Sequence, residues 1–233
     1  MNDYVTIPKI LHHVWLGNQQ MPQNLQRCIQ TCYNIQQGWK HMFWTDGNLP
    51  DMNYFKEEYD IDNNYARKSD LVRIMALYQY GGVYLDTDVE CIKPIDNLLK
   101  GYKFIVATEA GTPGKFEPNK EHINNAVIAS TKLNKVLIEL MVQIKANYKR
   151  IDTEGKHPLQ YVANLAGPPV FNKMSNEIRK YKHAKIYEYE YFYPLHYQDR
   201  TSVDTWKIPS NKKTLDKKTH TIHHFAASWY NQK

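Results

Sequence analysis

The feature that most constrains the fold is a helical segment that ends at a glycine pair and is followed at once by a short apolar strand. Residues 62–80 are rich in Ala, Leu, Met and Arg, and the pair Gly81-Gly82 is typical of a helix end. Val83-Tyr84-Leu85 then predicts a buried strand that runs into Asp86-Thr87-Asp88. A strand whose carboxyl end carries acidic residues is typical of α/β proteins that bind a ligand at that end of the sheet.

Strand and helix patterns alternate elsewhere in the chain as well. Apolar and aromatic runs predict further strands, and helical spacing of apolar residues predicts further helices. The strands are expected at residues 7–17, 41–44, 104–107, 186–193 and 219–225, and the helices at residues 21–37 and 126–149. The fold class is therefore predicted to be α/β, with a mixed, mainly parallel sheet flanked by helices in a single domain over residues 1–233.

Composition favours a globular protein without membrane spans. Hydrophobic residues make up 42% and charged residues 23% of the 233 positions, and no apolar run approaches the ~20 residues that cross a bilayer. The three cysteines, Cys28, Cys32 and Cys91, form no CxxC pair, so we expect no disulfide framework and a reducing compartment. The absence of a secretory leader pattern leads to the same expectation, a cytoplasmic protein.

Positive charge is concentrated near the C-terminus. Residues 1–178 carry 19 basic and 19 acidic side chains, whereas residues 179–233 carry 11 basic and 5 acidic ones and so hold all of the net charge of +6. Such a segment attracts phosphate-rich partners, and we expect peripheral contact with an anionic membrane at its inner face. A solvated basic loop over residues 211–218 is the alternative.

Asp86 and Asp88 are the first candidates for chemistry. Side chains two residues apart on an extended strand point to the same face, so the two carboxylates are expected to converge. Converging carboxylates repel each other unless a cation neutralises them, and their oxygens suit Mn²⁺ or Mg²⁺. An isolated Asp-x-Asp is more often an ordinary turn, so the metal site depends on its context.

The preceding helix supplies that context. Ser69, Asp70 and Arg73 interrupt an otherwise apolar stripe of residues spaced three or four apart. Asp70 and Arg73 can pair with each other. Alternatively, Asp70 accepts hydrogen bonds from sugar hydroxyls while Arg73 approaches an anionic leaving group. Spacing alone slightly favours the structural pair.

The block Ser69-Asp70-x-x-Arg73 followed by Gly81-Gly82-x-Tyr84-x-Asp86-x-Asp88 closely resembles the DXD-containing sugar-binding glycosyltransferases of family 32. That family includes the yeast initiating mannosyltransferase and bacterial capsule enzymes, and the catalytic domains of the clostridial glucosylating toxins are similar. The resemblance extends to residues 7–15, 44–46 and 222–229 and is loose over residues 100–215.

This resemblance implies a GT-A-like fold, a nucleotide-sugar donor, Mn²⁺ or Mg²⁺, and retention of anomeric configuration. Within the single domain it implies a nucleotide-sugar-binding half over 1–110, an acceptor-side region over 111–218 and a closing segment over 219–233. Asp70, Arg73, Asp86 and Asp88 match the catalytic residues, and Asp86, Asp88 and His224 match the metal ligands. The donor-binding matches are Trp15, Ser69, Asp70, Arg73, Tyr84, Asp86, Ser228 and Trp229.

We therefore predict a metal-dependent retaining hexosyltransferase that uses a UDP-sugar or GDP-mannose and a saccharide or lipid-linked glycan acceptor in surface polysaccharide synthesis. Asn125 and Gly167 are the acceptor-side candidates. A toxin-like enzyme acting on a protein and a sugar nucleotidyltransferase remain alternatives, although the latter needs a Gly-rich phosphate loop that is absent after the first strand. Nucleic acid is not expected as a partner, because Lys212, Lys213 and their neighbours do not interleave with aromatic residues.

Overall fold

The structure is a computed structural model that describes residues 6–109, 122–154, 165–196 and 215–226, without the side chains of residues 151–154. The described residues form eight strands and eight α-helices. The strands are β1 Ile10–Val14, β2 Lys40–Trp44, β3 Gly82–Leu85, β4 Val89–Cys91, β5 Phe104–Thr108, β6 Ile123–Ser130, β7 Ala184–Tyr187 and β8 Thr221–His223. The helices are α1 Gln23–Ile35, α2 Lys56–Ile61, α3 Tyr65–Tyr80, α4 Asp96–Leu99, α5 Lys135–Glu154, α6 Pro168–Lys173, α7 Ser175–Lys180 and α8 Tyr189–Phe192.

Six of these strands form one sheet in the order β2-β1-β3-β6-β5-β7. The pairs β1–β2, β1–β3 and β5–β7 are parallel, whereas β6 runs antiparallel to both β3 and β5. Five strands therefore share one direction, and we call their two ends the carboxyl end and the amino end of the sheet. The predicted fold class, a mixed and mainly parallel sheet flanked by helices, is confirmed.

The remaining strands, β4 and β8, form a separate antiparallel pair, the β4–β8 ribbon. It follows β3 directly, because only residues 86–88 lie between β3 and β4. Its second strand comes from the far end of the described chain, so the ribbon brings residues near 222 beside residues near 90. Sequence patterns predicted a strand around 219–225 but gave no indication of β4.

Helix α3 sits between two well-defined ends. Asn64 caps its first turn by accepting a hydrogen bond from the backbone N–H of Arg67, and the helix ends at Gly81. Gly81 and Gly82 both have positive φ values, of 64° and 109°. A Cβ on Gly82 would lie 2.5 Å from the carbonyl oxygen of Ile10, so only glycine lets β3 pair this closely with β1.

Strand β3 is buried on both of its faces. Tyr84 packs into the core beneath α3 and α5, whereas Val83 and Leu85 pack into the core beneath α1, α4 and α8. Because helices cover both faces, the strand is continuously apolar, as central parallel strands are. This burial fixes the position of the residues that follow Leu85.

Two sequence-based predictions are wrong. The helix expected at residues 126–149 begins only at Lys135, because residues 123–130 are the antiparallel strand β6. The apolar residues of this segment fit both the helical and the strand period, and pairing with β3 and β5 makes it a strand. The segment expected as a strand at 186–193 is β7 followed by the short helix α8.

The expectation about cysteines is also wrong. Cys32 on α1 and Cys91 on β4 form a disulfide across 59 residues of sequence, whereas Cys28 is free and buried. Counting cysteines could not reveal this pair, because only the packing of α1 on β4 brings the two together. Disulfides persist in oxidising environments, so the cysteines no longer support a reducing compartment.

Within the part of the chain that the structure describes, no helix has the length and apolar character needed to span a bilayer.

Candidate active site

The two aspartates after β3 lie in a turn. The backbone N–H of Asp86 donates to the carbonyl of Ala126 on β6, and the N–H of Val89 donates back to the carbonyl of Asp86 at 3.0 Å. The extended strand that the sequence argument assumed for residues 86–88 is therefore wrong. The carboxylates still converge, because the turn folds Asp88 back toward Asp86 at the carboxyl end of the sheet.

His223 completes a group of three possible metal ligands with these aspartates. One ligand atom from each of Asp86, Asp88 and His223 lies within 4.8 Å of the others. The Nε2 atom of His223 is 3.3 Å from a carboxylate oxygen of Asp88 and 4.0 Å from one of Asp86. The antiparallel register of the β4–β8 ribbon, which pairs Val89 with His223, creates this proximity.

The prediction that His224 is the histidine ligand is corrected by the geometry. Its Nε2 atom lies 3.1 Å from a carboxylate oxygen of Glu90, and both side chains are buried. His224 follows the last residue of β8, and the group of ligand atoms within 4.8 Å of one another contains His223 and not His224. The register of β8 on β4 decides the choice, and no local sequence signal carries that register.

Asp88 is held from the ribbon side as well. The backbone N–H of Ala226 donates to its carboxylate at 2.8 Å, and the N–H of His224 donates to its carbonyl at 3.1 Å. Burial raises the pKa of Asp88, but His223 and the Ala226 N–H outweigh burial and hold that pKa below its ordinary value. The same contact with Asp88 raises the pKa of His223 despite burial.

A second group lies beside the first and consists of Asp70, Arg73 and Asn125. The Nη2 atom of Arg73 is 3.1 Å from Asp70 and 3.1 Å from Asp86, and its Nη1 donates to the backbone carbonyl of Asn125. The Asn125 side chain donates to Asp70 at 2.9 Å. The structural pair of Arg73 with Asp70 is present, and Arg73 also joins Asp70 to Asp86; the alternative, in which Arg73 approaches an anionic leaving group, stays a prediction.

Burial and the neighbouring charges shift the pKa values of this group. Burial raises the pKa of Asp70 to about 6, against the opposing effects of Arg73 and the Asn125 hydrogen bond. The guanidinium of Arg73 is buried too, but Asp86, Tyr84 and Asp70 raise its pKa above the ordinary value. Asp86 has the most exposed side chain of the charged set, at 25%, whereas the others range from 7% to 12%.

The residues predicted to bind the donor are buried to different degrees. Trp15 follows β1 at the carboxyl end and is half-buried, and Ser69 is half-buried on α3. Tyr84 is only 1% exposed; its ring lies under the Arg73 guanidinium and its hydroxyl donates to Asp86 at 2.6 Å. Tyr84 therefore contributes to the site by contacting Arg73 and Asp86.

The acceptor-side predictions fare differently. Asn125 is buried within the Asp70 group, where its side chain is already bonded. Gly167 precedes α6, and its carbonyl accepts the N–H of Val170. Ser228 and Trp229, predicted to bind the donor, lie outside the described residues, as does the first half, 211–214, of the basic segment at 211–218.

Comparison with known families gives the class of this site. Residues 22–105 match the family model "Glycosyltransferase sugar-binding region containing DXD motif". That stretch is a little over a third of the chain and contains Asp70, Arg73, Asp86 and Asp88. It does not include Trp15 or His223.

Among individual proteins, the chain is 33% identical over 103 residues to inositol phosphoceramide mannosyltransferase 3 of Schizosaccharomyces pombe. The match covers 42% of this chain and 29% of that protein. The chain thus spans only about a third of the length of the curated relatives it matches.

Solved structures show the same fold. The PaToxG glycosyltransferase superposes with a TM-score of 0.56 at 21% identity, covering 75% of this chain and 71% of that one. The UDP-bound glycosyltransferase domain of the YGT toxin also gives 0.56, at 12% identity, covering 78% and 79%. The fold is that of GT-A glycosyltransferase domains.

Proposed function

We propose that this protein is a metal-dependent, retaining glycosyltransferase that transfers a hexose from a nucleotide-sugar to a saccharide or lipid-linked glycan. The observation that carries the proposal is the position of Asp86. One of its carboxylate oxygens is 3.1 Å from Arg73 of the Asp70 group, and the other is 4.0 Å from His223 of the metal-ligand group. A donor held at Asp86 would meet both groups at once.

The ligand atoms of Asp86, Asp88 and His223 suit a divalent cation. Two carboxylates and one imidazole nitrogen gathered within 4.8 Å suit Mn²⁺ or Mg²⁺, the ions implied by the family resemblance. Without a cation, two carboxylates this close repel each other. A bound ion would supply positive charge for the diphosphate that leaves the sugar.

Arg73 acts in this proposal as a positioning residue. Its Nη atoms are taken by Asp70, Asp86 and the Asn125 carbonyl, so it fixes two carboxylates at the donor pocket. Asp70 then offers its carboxylate to sugar hydroxyls, and Trp15 offers its ring to the donor base. The charge that builds on the leaving oxygens would be stabilised by the preorganised site.

The identity of the donor is proposed as a UDP-sugar, with GDP-mannose as the second candidate. The structural neighbour with bound UDP supports the first, and the mannosyltransferase relative supports mannose. Retention of configuration is carried over from the family resemblance, with attack on the same face that the diphosphate leaves. An inverted linkage in the product, detected by NMR, would contradict it.

The acceptor has two candidate classes. The first class is a surface glycan or lipid-linked saccharide, and the inositol phosphoceramide mannosyltransferase relative supports an acceptor that carries a lipid. The second class is a protein, as for a toxin-like enzyme, and the likeness to glycosyltransferase domains of toxins keeps it as the alternative. Contact of the basic C-terminal section with anionic membranes also stays a proposal. A sugar nucleotidyltransferase remains the competitor from another reaction class.

The test measures release of nucleoside diphosphate from UDP- and GDP-sugars, with Mn²⁺ or with EDTA. Replacing a residue that hydrogen-bonds to a metal ligand typically lowers metal affinity or activity by ~10–100-fold. Replacing a ligand itself, in Asp88→Asn, is therefore expected to lower turnover by more than about 100-fold. His223→Ala should cause a similar loss. His224→Ala is the matched control, and its metal affinity is expected to stay closer to that of the unaltered protein than the affinity of His223→Ala does.

Three outcomes would contradict the proposal. Donor turnover that does not require a metal would contradict the role of Asp86, Asp88 and His223 as metal ligands. A requirement for pyrophosphate and release of nucleoside triphosphate would indicate a nucleotidyltransferase. Equal losses for His223→Ala and His224→Ala would show that the histidine assignment is wrong.

A further inference from the structure

A cleft of about 490 Å³ opens at the amino end of the sheet. The starts of β5 and β7 form one wall, and the turn from β6 into α5, residues 131–135, forms the other. The candidate active site is at the opposite end: the Asp86 N–H donates to the carbonyl of Ala126 on β6, and Thr131 lies five positions further along the chain. At ~3.4 Å per residue, the two sites are about 17 Å apart.

The cleft is lined by basic side chains. They come from all three segments around it and are Lys103, Lys132, Lys135, Lys182 and His183. Within the described ranges, none of the four lysines forms an ion pair. The acidic groups nearby are already engaged, because Glu139 accepts from the Tyr181 hydroxyl and Glu177 pairs with Lys180. The positive charge of the cleft is therefore not neutralised by other residues that the structure describes.

Hydrogen bonds hold the walls of the cleft together. Asn134 accepts the N–H of Val136 at the start of α5, and its side-chain amide donates to the carbonyl of Lys103. The N–H of Thr131 donates to the same carbonyl, and the N–H of Lys103 donates to the carbonyl of His183. The three basic segments are thus fixed relative to one another before any ligand arrives, which lowers the ordering cost of binding.

Two further properties fit a phosphate group. The 20-residue helix α5 starts at the cleft, and a helix N-terminus adds partial positive charge to that of the lysines. Lysine ammonium groups bind phosphate as point charges and need no fixed geometry. Leu133, which lines the cleft, is 56% exposed, and Ile138 and Val142 further along α5 are 41% and 58% exposed, so apolar surface is available to a lipid as well.

We propose that this cleft binds a multiply charged phosphate group, at a site separate from the nucleotide-sugar site. The phosphate comes either from a small molecule free in solution or from the headgroup of an anionic lipid. Both sources present the same chemistry to the lysines, and the experiment separates them. The proposal does not depend on the transferase activity.

The experiment compares two double charge reversals. Lys132→Glu with Lys182→Glu alters the cleft, and Arg27→Glu with Lys40→Glu alters exposed basic residues elsewhere. Each pair changes the net charge by −4, from +6 to +2, so general electrostatic attraction is matched. Binding of inorganic pyrophosphate is measured by calorimetry in EDTA, which keeps metal away from Asp86, Asp88 and His223. Vesicles of phosphatidylcholine with phosphatidic acid are tested by flotation.

The cleft variant is expected to bind at least tenfold more weakly than the control variant. Loss of pyrophosphate binding identifies a phosphate free in solution, and loss of vesicle binding alone identifies a lipid headgroup. The proposal is overturned if the unaltered protein binds neither probe, or if both double variants lose binding equally.

A second measurement uses the unaltered protein and so does not depend on the folding of variants. Lysine acetylation is followed by mass spectrometry with and without the probe that bound. Lys132, Lys135 and Lys182 should be protected several-fold, and Lys40 should react at the same rate in both samples. Unchanged acetylation of the cleft lysines in the presence of a bound probe would contradict the proposal.

Discussion

The two ends of the central sheet carry charge in opposite ways. At the carboxyl end, Asp70, Arg73, Asp88 and His223 are nearly buried, and each has a partner of opposite charge. At the amino end, the lysines of the cleft are mostly exposed and have no ion pairs within the described residues. Buried charges need partners because desolvation is costly, whereas exposed charges do not.

This difference separates stability from binding. Substitutions at the carboxyl end are expected to disturb both the fold and the chemistry, because every charge there supports another. Substitutions of the cleft lysines are expected to alter ligand binding and leave the free energy of unfolding within about 0.5 kcal/mol, as surface changes usually do. Three predictions test how far the comparison holds.

The largest effect is expected for Arg73→Met. It leaves the Asp70 and Asp86 carboxylates without their shared cation, and breaking a buried pair in this way costs about 3–5 kcal/mol of unfolding free energy. Urea denaturation at neutral pH measures the loss. Arg27→Met, at an exposed position of α1, is the control and should change little. Adding Asp70→Asn to Arg73→Met should recover part of the stability, and no recovery would show that the carboxylates are not coupled through Arg73.

Reduction of the Cys32–Cys91 disulfide is expected to cost about 2–4 kcal/mol, since it releases a long loop of the unfolded chain. It also frees the β4–β8 ribbon, which carries His223 and starts beside Asp88, from α1. Metal affinity should therefore fall along with stability. Urea denaturation with and without reductant tests this, with Cys28→Ser still sensitive to reductant and Cys91→Ser insensitive. Metal affinity that is unaffected by reduction would show that the ribbon keeps its place without the disulfide.

The third prediction concerns pH. The folded-state pKa of Asp70, about 6, lies above its ordinary value of 3.8, so the folded protein binds this proton more tightly than the unfolded chain does. Its contribution to stability is therefore present at low pH and lost as pH rises from about 4 to about 6. A tenfold change in proton affinity is worth about 1.4 kcal/mol, so the loss is on the order of 3 kcal/mol.

The measurement is the unfolding free energy of the unaltered protein minus that of Asp70→Asn, in EDTA, across this pH range. The difference should fall with rising pH and then level off. The cleft variant with Lys132→Glu and Lys182→Glu should keep the pH dependence of the unaltered protein. A flat difference for Asp70→Asn would mean that Asp70 titrates at its ordinary pKa when folded.

Much of the carboxyl end could be predicted from local sequence. The helix before Gly81, the strand after it and the acidic pair that follows are short-range patterns, and the fold class came from their alternation with other segments. Residues 126–130 were assigned to a helix because their apolar residues fit more than one period, and only pairing with two strands makes them a strand. The cleft left no motif at all, because its lysines come from three distant segments.

The sequence by itself placed Asp70 with Arg73 on one helix and Asp86 with Asp88 after one strand, and the family resemblance implied that the four side chains form one site. Only the tertiary structure decided which histidine joins them and which cysteines pair. Those choices depend on the register of β8 against β4 and on the packing of α1 against β4, both of which join residues far apart in the chain. Local propensities act over a few residues, whereas such contacts form only when the core packs.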